Sequence, residues 1–350
     1  MLSRALKSRL PLCALAVVGL VAGLTPSERF WARAASRARI VGYYVHDDPS
    51  AWKTLTFYGD RLASIITTNY NVSDASGRLQ GTHDARAMEA ARSRGAAVHF
   101  RLSNVAGEQF DRSVAHAILT DRRTKARALS DILATLDAQG YDGVNIDLER
   151  VPPTDRAALT AFTAELQAAL RPRGKVLSIA VPGRTGDDLT DPFSGAFDLA
   201  ALGALADWIV IMAYDEHWDT GPPGPVASLP WVEAVVRHTL SQVSPTKTLL
   251  GIALYGYDWP ARGPGEGISM QEAVRRAQRA GASILWDERA RVPYFRTADR
   301  IVYFENARSI AHKLAVGERA GLAGIATWRL GHELPDVWET IGGGQAAANP

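Results

Sequence analysis

What most constrains this chain is an alternation. Short runs rich in Val, Ile, Leu and Ala occur at residues 39–45, 63–68, 96–102, 140–148, 176–181, 207–214, 248–254 and 324–328. Their interiors are nearly continuous in apolar residues, the pattern of parallel strands covered on both faces. Between them lie stretches with helical spacing, at 84–94, 125–139, 155–170, 230–242 and 309–320. In the second of these, Leu129, Ile132, Leu133 and Leu136 recur at three- and four-residue intervals. Pro153 and Thr154 ahead of Asp155 supply start signals for the third. Repeated strand–helix units over about 300 residues predict an α/β chain closed into a (β/α)8 barrel. A doubly wound open sheet is the competing arrangement, but no glycine-rich phosphate turn follows the first run. The stretch Gly263-Pro264-Gly265-Glu266-Gly267 does not open a helix behind a strand and reads as a loop.

The connection between the seventh and eighth runs is too long for a single crossover. Residues 270–280 have helical spacing there, and 284–286, 292–295 and 300–304 read as short strands. A small α+β insertion over 260–305 is therefore expected on the barrel rim. The last residues, 342–350, are small and polar and read as a disordered tail.

The amino terminus reads as a targeting segment. Arg4, Lys7 and Arg9 precede an uncharged apolar stretch at 10–24, which is short of the roughly 20 residues a spanning helix needs. Ala32-Arg33-Ala34 is a small-x-small cleavage site, so 1–34 is either a removed signal peptide or a retained membrane anchor. Either way the barrel at 35–341 is expected outside the cytoplasm, whether secreted, periplasmic or tethered. The net charge is only +2, with none of the basic excess that nucleic-acid binding demands. A single cysteine, Cys13, lies inside the apolar stretch and leaves no internal disulfide and no cysteine metal site. His46, Asp47 and Asp48 are adjacent but have no matching cluster elsewhere, so no metal and no cofactor are expected.

The chemistry converges on the fourth run, Tyr141-Asp142-Gly143-Val144-Asn145-Ile146-Asp147-Leu148-Glu149. In a strand, residues two apart share a face. Gly143, Asn145, Asp147 and Glu149 therefore point into the barrel, and Val144, Ile146 and Leu148 point out beneath the helices. A polar row inside a barrel is costly unless its members bond one another. Glu149 falls at the carboxyl end, where barrel enzymes keep their active sites, with Asp147 about 6–7 Å behind it. Two carboxyl groups so close repel as anions, so one tends to keep a proton.

This strand resembles the signature of glycoside hydrolase family 18, the chitinase-like family, whose D-G-x-D-x-D-x-E is matched by Asp142, Gly143, Asp147 and Glu149. Its Y-D-G-V-N-I-D form is similar to the branch of spore cortex-lytic and spore-germination N-acetylglucosaminidases. Met212-Ala213-Tyr214-Asp215 with Glu216-His217-Trp218 continues the resemblance, as do 224–228, 254–259, Phe304-Glu305-Asn306 with Ser309 and Lys313, and 328–331. The resemblance implies Glu149 as general acid and then base, Asp147 as the orienter of the substrate's acetamido group, and Tyr214 as donor to the acetamido oxygen. It further implies sugar contacts from Asp215 and a floor from Trp328. Asp142 is expected to anchor the strand's start. Trp218 and Tyr257, in strand-end loops, are candidate sugar-binding residues, as is Asn104 just beyond the third run. Asn145, also a candidate substrate-binding residue, departs from the pattern: it stands in place of the second aspartate and cannot take a proton from Asp147, although it can donate an N–H to it.

The implied function is retaining, substrate-assisted hydrolysis of β-1,4-linked N-acetylglucosamine glycans. The branch points to peptidoglycan as the polysaccharide partner, with chitin oligomers the alternative. A non-catalytic sugar-binding barrel is disfavoured, because lectin-like relatives typically lose the glutamate.

Overall fold

The computed structural model describes residues 40–342. The expected signal or anchor at 1–34 and the tail at 343–350 lie outside the described residues. Gly342, expected to open the tail, instead closes a helix over Asp336–Gly342.

The barrel strands are β1 Ile40–Tyr44, β2 Ser64–Thr67, β3 Ala97–Ser103, β4 Gly143–Asp147, β5 Val176–Pro182, β6 Trp208–Met212, β7 Thr248–Ala253 and β8 Gly324–Trp328. Each pairs in parallel with its neighbours in sequence, and β8 returns to β1 to close the ring. The expected (β/α)8 barrel is the observed fold. The helices outside it include α1 Pro49–Tyr58, α2 Ala85–Ser93, α3 Arg112–Thr120, α4 Arg122–Gln139 and α5 Arg156–Leu170. They are followed by α6 Leu199–Leu205, α7 Leu229–Leu240, α8 Met270–Arg279, α9 Ala307–Arg319 and α10 Asp336–Gly342. Aspartates start many of these helices: Asp48, Asp84, Asp111, Asp121 and Asp198 each accept backbone N–H groups of the first turn. Gly140, with φ of 74°, ends α4 in the left-handed region that glycine reaches without strain.

Burial follows the alternation. Val144, Ile146 and Leu148 belong to the large core between strands and helices, whereas Val41, Tyr43, Ile66, Trp208, Val210 and Leu249 fill the barrel interior. Gly143 is required on the inner face, since a Cβ there would stand 2.5 Å from the carbonyl oxygen of Val176.

The insertion begins earlier than expected. Tyr255–Pro260 is not a loop but a strand of a five-stranded antiparallel sheet, paired with Arg300–Phe304 and with Glu266–Ser269. Glu266 and Gly267 of the presumed glycine loop thus lie in a strand. The alternation of aromatic with small or charged residues at 255–259 is the period-two signal of a strand, obscured by its continuity with β7. α8 packs on this sheet, burying Met270, Ala273 and Ala277.

Candidate active site

The carboxyl ends of the strands open onto a groove of about 860 Å³, lined by Asp147, Glu149, Tyr214, Asp215, Trp218 and Trp328, with Tyr43, Arg101 and Phe110 among its other walls. Tyr43, Arg101, Asp147 and Trp328 come from four separate strands, β1, β3, β4 and β8, so the site exists only after closure of the barrel.

Strand β4 supplies the inward polar row. Asn145 is fully buried and accepts the Tyr43 hydroxyl proton at 3.0 Å while donating to Ser178 Oγ at 2.9 Å. Ser178 is its register partner on β5. Asn145 neither lines the groove nor touches Asp147, which corrects two expectations: contact with substrate and an amide donor to the aspartate. Its amide is consumed tying β1, β4 and β5 together.

The partner of Asp147 is Arg101, whose Nη1 donates to Asp147 Oδ2 at 3.1 Å. Arg101 lies on β3 opposite Asn145, two residues behind the Ser103–Asp147 pair, and reaches forward along the barrel interior. Its guanidinium also lies 5.7 Å from the Trp328 ring and 5.9 Å from that of Phe110. Sequence reasoning missed this residue. The signal was there: a lone arginine at an inward position of an apolar run must find an anion or pay the cost of a buried charge.

Glu149 lies two residues past Asp147, beyond the hydrogen-bonded strand, and its backbone is clamped. Asn104 Oδ1 accepts the Glu149 N–H at 2.9 Å, and Asn104 Nδ2 donates to the carbonyls of Glu149 (2.9 Å) and Asp111 (2.8 Å). Asn104 is wholly buried with its amide saturated, so the expected substrate contact is replaced by a hold on the backbone that carries Glu149.

Burial raises the Glu149 pKa to about 8, helped by the negative charge of Asp147 and opposed by Arg101. Burial raises that of Asp147 too, against the Arg101 charge and hydrogen bond. The two carboxyls form one coupled pair. Because the arginine bonds only Asp147, the pair's proton belongs on Glu149, beside an anionic Asp147. Tyr214 is held well above its ordinary pKa by burial and nearby negative charge, so its hydroxyl stays a donor.

Asp215 adopts a left-handed φ of 61°, uncommon for a non-glycine residue and frequent at functional sites. It accepts the hydroxyls of Tyr255 and Tyr257, the latter at 3.0 Å. Tyr257 therefore serves Asp215 and does not line the groove as expected; its ring packs between Tyr255 and Trp259. Trp218 stands 42 % exposed in the groove wall, free to receive a sugar face. The Trp328 ring sits against Tyr43, with centroids 5.3 Å apart, as part of the groove floor.

The remaining polar candidates are structural. Asp142 accepts the Val98 N–H at 2.9 Å, anchoring the start of β4 as expected. His99 is buried against the Trp208 ring, its pKa lowered to about 4 by burial. His46 bonds Asp84, and Asp48 caps α1 and pairs with Arg329. Among the described residues no group of three His, Cys, Asp or Glu could hold a metal ion. None of the described helices is long and apolar enough to cross a membrane.

An acid kept protonated beside an anion, in an aromatic-floored groove at the carboxyl face of a parallel barrel, is the site of a barrel glycoside hydrolase. Residues 39–333 match glycosyl hydrolases family 18, and the chain belongs to that family. It is 31% identical over 304 residues to the putative sporulation-specific glycosylase YdhD of Bacillus subtilis, covering 84% of this chain and 72% of that protein. The spore cortex-lytic enzyme SleL of Bacillus cereus superposes with a TM-score of 0.80 at 25% identity, over 87% of this chain and 73% of that one. A chitinase from Chromobacterium violaceum gives the same TM-score at 30% identity, over 87% and 98%. The protein is thus a glycoside hydrolase related to both cortex-lytic enzymes and chitinases.

Proposed function

We propose that this enzyme is exported and cleaves β-1,4-linked N-acetylglucosamine glycans of peptidoglycan with retention of configuration. The observation that carries the chemistry is the asymmetric carboxyl pair, in which Arg101 bonds Asp147 alone and burial raises the Glu149 pKa to about 8. A retaining enzyme with its own nucleophile needs two carboxyls about 5–5.5 Å apart across the sugar. Asp147 and Glu149 instead rise from one strand, and Asp215 is engaged by two tyrosines. The substrate's 2-acetamido oxygen is then the nucleophile, as in the substrate-assisted exceptions.

In this mechanism the sugar rests on Trp328, its acetamido oxygen receives the Tyr214 hydroxyl proton as a hydrogen bond, and its N–H faces Asp147. The acetamido oxygen attacks C1 as the bond from C1 to the glycosidic oxygen breaks, and Glu149 gives its proton to that oxygen. Asp147 offsets the positive charge on the resulting oxazolinium ion. Water then attacks C1 as the bond from C1 to the acetamido oxygen breaks, reopening the ring to the neutral acetamide, and gives its proton to the Glu149 carboxylate, restoring the acid.

The relation to sporulation and cortex-lytic enzymes favours peptidoglycan over chitin, and the basic head and apolar stretch of residues 1–34 favour export. Mass spectrometry of products from purified peptidoglycan and from chitin oligomers tests the reading. Expected are fragments ending in reducing N-acetylglucosamine, with β configuration when first formed. Efficient cleavage of fully de-N-acetylated glycan would overturn the mechanism, and turnover of chitin alone would overturn the substrate.

A further inference from the structure

Beyond the catalytic pair, the groove carries a cation that forms no ion pair among the described residues. Arg150 follows Glu149 directly, exposed, with a left-handed φ of 55°. It lines the groove and also a second cavity of about 550 Å³, with Phe110 as the wall common to both. Arg112 and Glu108 line this side cavity as well. The other groove arginines are paired, Arg101 with Asp147 and Arg184 with Asp187. Arg112 and Arg150 form no ion pair among the described residues. Asp111, the other carboxylate of the cavity, is taken up in capping α3 through the N–H groups of Ser113 and Val114. The shelf therefore offers two arginines against the single free carboxylate of Glu108.

Barrel topology decides which sugar this shelf meets. β4 and β8 stand four strands apart, on opposite sides of the ring. The sugar that supplies the acetamido group lies over Trp328 at the end of β8, and Glu149, at the end of β4, protonates the oxygen leaving it. Groups farther out on the β3–β4 rim then face the leaving sugar. We propose that Arg150, assisted by Arg112, binds a carboxylate on the 3-substituent of the leaving sugar, the group that distinguishes N-acetylmuramic acid from N-acetylglucosamine. This assignment rests on the peptidoglycan reading and gives it a residue. Guanidinium suits the role because its fork matches a carboxylate with two parallel bonds. Two sources offer such a carboxylate: the lactyl group itself when the peptide is removed, and the acidic residues of an intact peptide stem.

The test compares kcat/KM on purified glycan strands in three forms: peptide-free with free lactyl carboxylates, peptide-free with those carboxylates converted to methylamides, and carrying intact stems. Arg150→Gln keeps a non-glycine side chain at the strained φ while removing the charge. Expected is a fall of about tenfold or more in the preference for a carboxylate-bearing form over the methylamide, as loss of one charge-assisted contact requires. The form on which it falls names the source, and Arg150→Lys restores part of the preference, which a purely structural role would not. A wild type that cuts muramic-acid glycans with a preference unaltered by Arg150→Gln overturns the arginine assignment alone. A wild type that cuts chitin oligomers but no muramic-acid glycan overturns the substrate reading and this inference with it.

Discussion

Replacing Arg101 by methionine should do more than weaken the enzyme: it should move its pH dependence. Asp147 is 4 % exposed and Arg101 9 %, so water does little to screen the pair. Unit charges about 4 Å apart at an effective dielectric of about 20 interact by ~4 kcal/mol, which corresponds to about 3 pK units on the carboxylate. Arg101 opposes the upward push of burial on both Asp147 and Glu149. Without it both ionisations move to higher pH, and the single proton of the pair is no longer directed to Glu149. The active form, acid on Glu149 and anion on Asp147, becomes a minor species at neutral pH. Expected in Arg101→Met is a loss of about 10²-fold or more in kcat/KM at pH 7, in the range of a lost general acid. The acidic limb of the pH–rate profile should also rise by more than one unit. Arg101→Lys, which keeps the charge without the planar fork, should return the limb towards its original position with only part of the rate. The assay is kcat/KM against pH on an N-acetylglucosamine oligomer, with a thermal melt to establish folding. A folded Arg101→Met protein with an unmoved pH profile would refute the assignment of the proton to Glu149 by the arginine.

Other consequences follow from the same geometry. Glu149→Gln should lose about 10²–10⁴-fold in turnover while still binding glycan; wild-type turnover would place the acid elsewhere. The same variant carries a stability signature. Folded Glu149 holds its proton up to about 8, whereas unfolded it ionises near the ordinary value, so the stability present in acid is lost as pH rises through about 8. Glu149→Gln should therefore melt higher than wild type by a margin that grows between about pH 5 and 8, and a constant margin would contradict the raised pKa. Asn104→Ala frees the backbone of Glu149 and should lower kcat by about tenfold or more with little change in KM, because displacement of the acid harms chemistry more than binding; a change confined to KM would restore Asn104 as a sugar contact. The export reading predicts protein outside the cytoplasm, with a mature terminus near Ala35 if cleaved, and is refuted by cytosolic protein that retains Met1.

The barrel was legible because its determinants are local and periodic. Two-sided burial of parallel strands writes itself as unbroken apolar runs, and all the expected runs became barrel strands. The carboxyl row of β4 was legible for a related reason: a strand's side chains alternate, so Asp147 and Glu149 share a face whatever the rest of the chain does. The helices α1, α3, α6 and α10 and the strand at Tyr255–Pro260 were not, the helices because each spans ten residues or fewer and the strand because it is continuous with β7. Partnerships across the barrel were beyond the linear chain altogether. Arg101 meets Asp147 from 46 residues away, and Tyr43 meets Asn145 from 102. Motif spacing assigned Asn145 to Asp147, and a place beyond the third run assigned Asn104 to substrate, but strand register and ring closure gave the first to Ser178 and Tyr43 and the second to the backbone of Glu149. Sequence by itself determined which residues face inward and which strand end carries the acid. Which groups they meet there depends on ring closure and strand register, set by the packing of the whole barrel, and these settled where the proton resides.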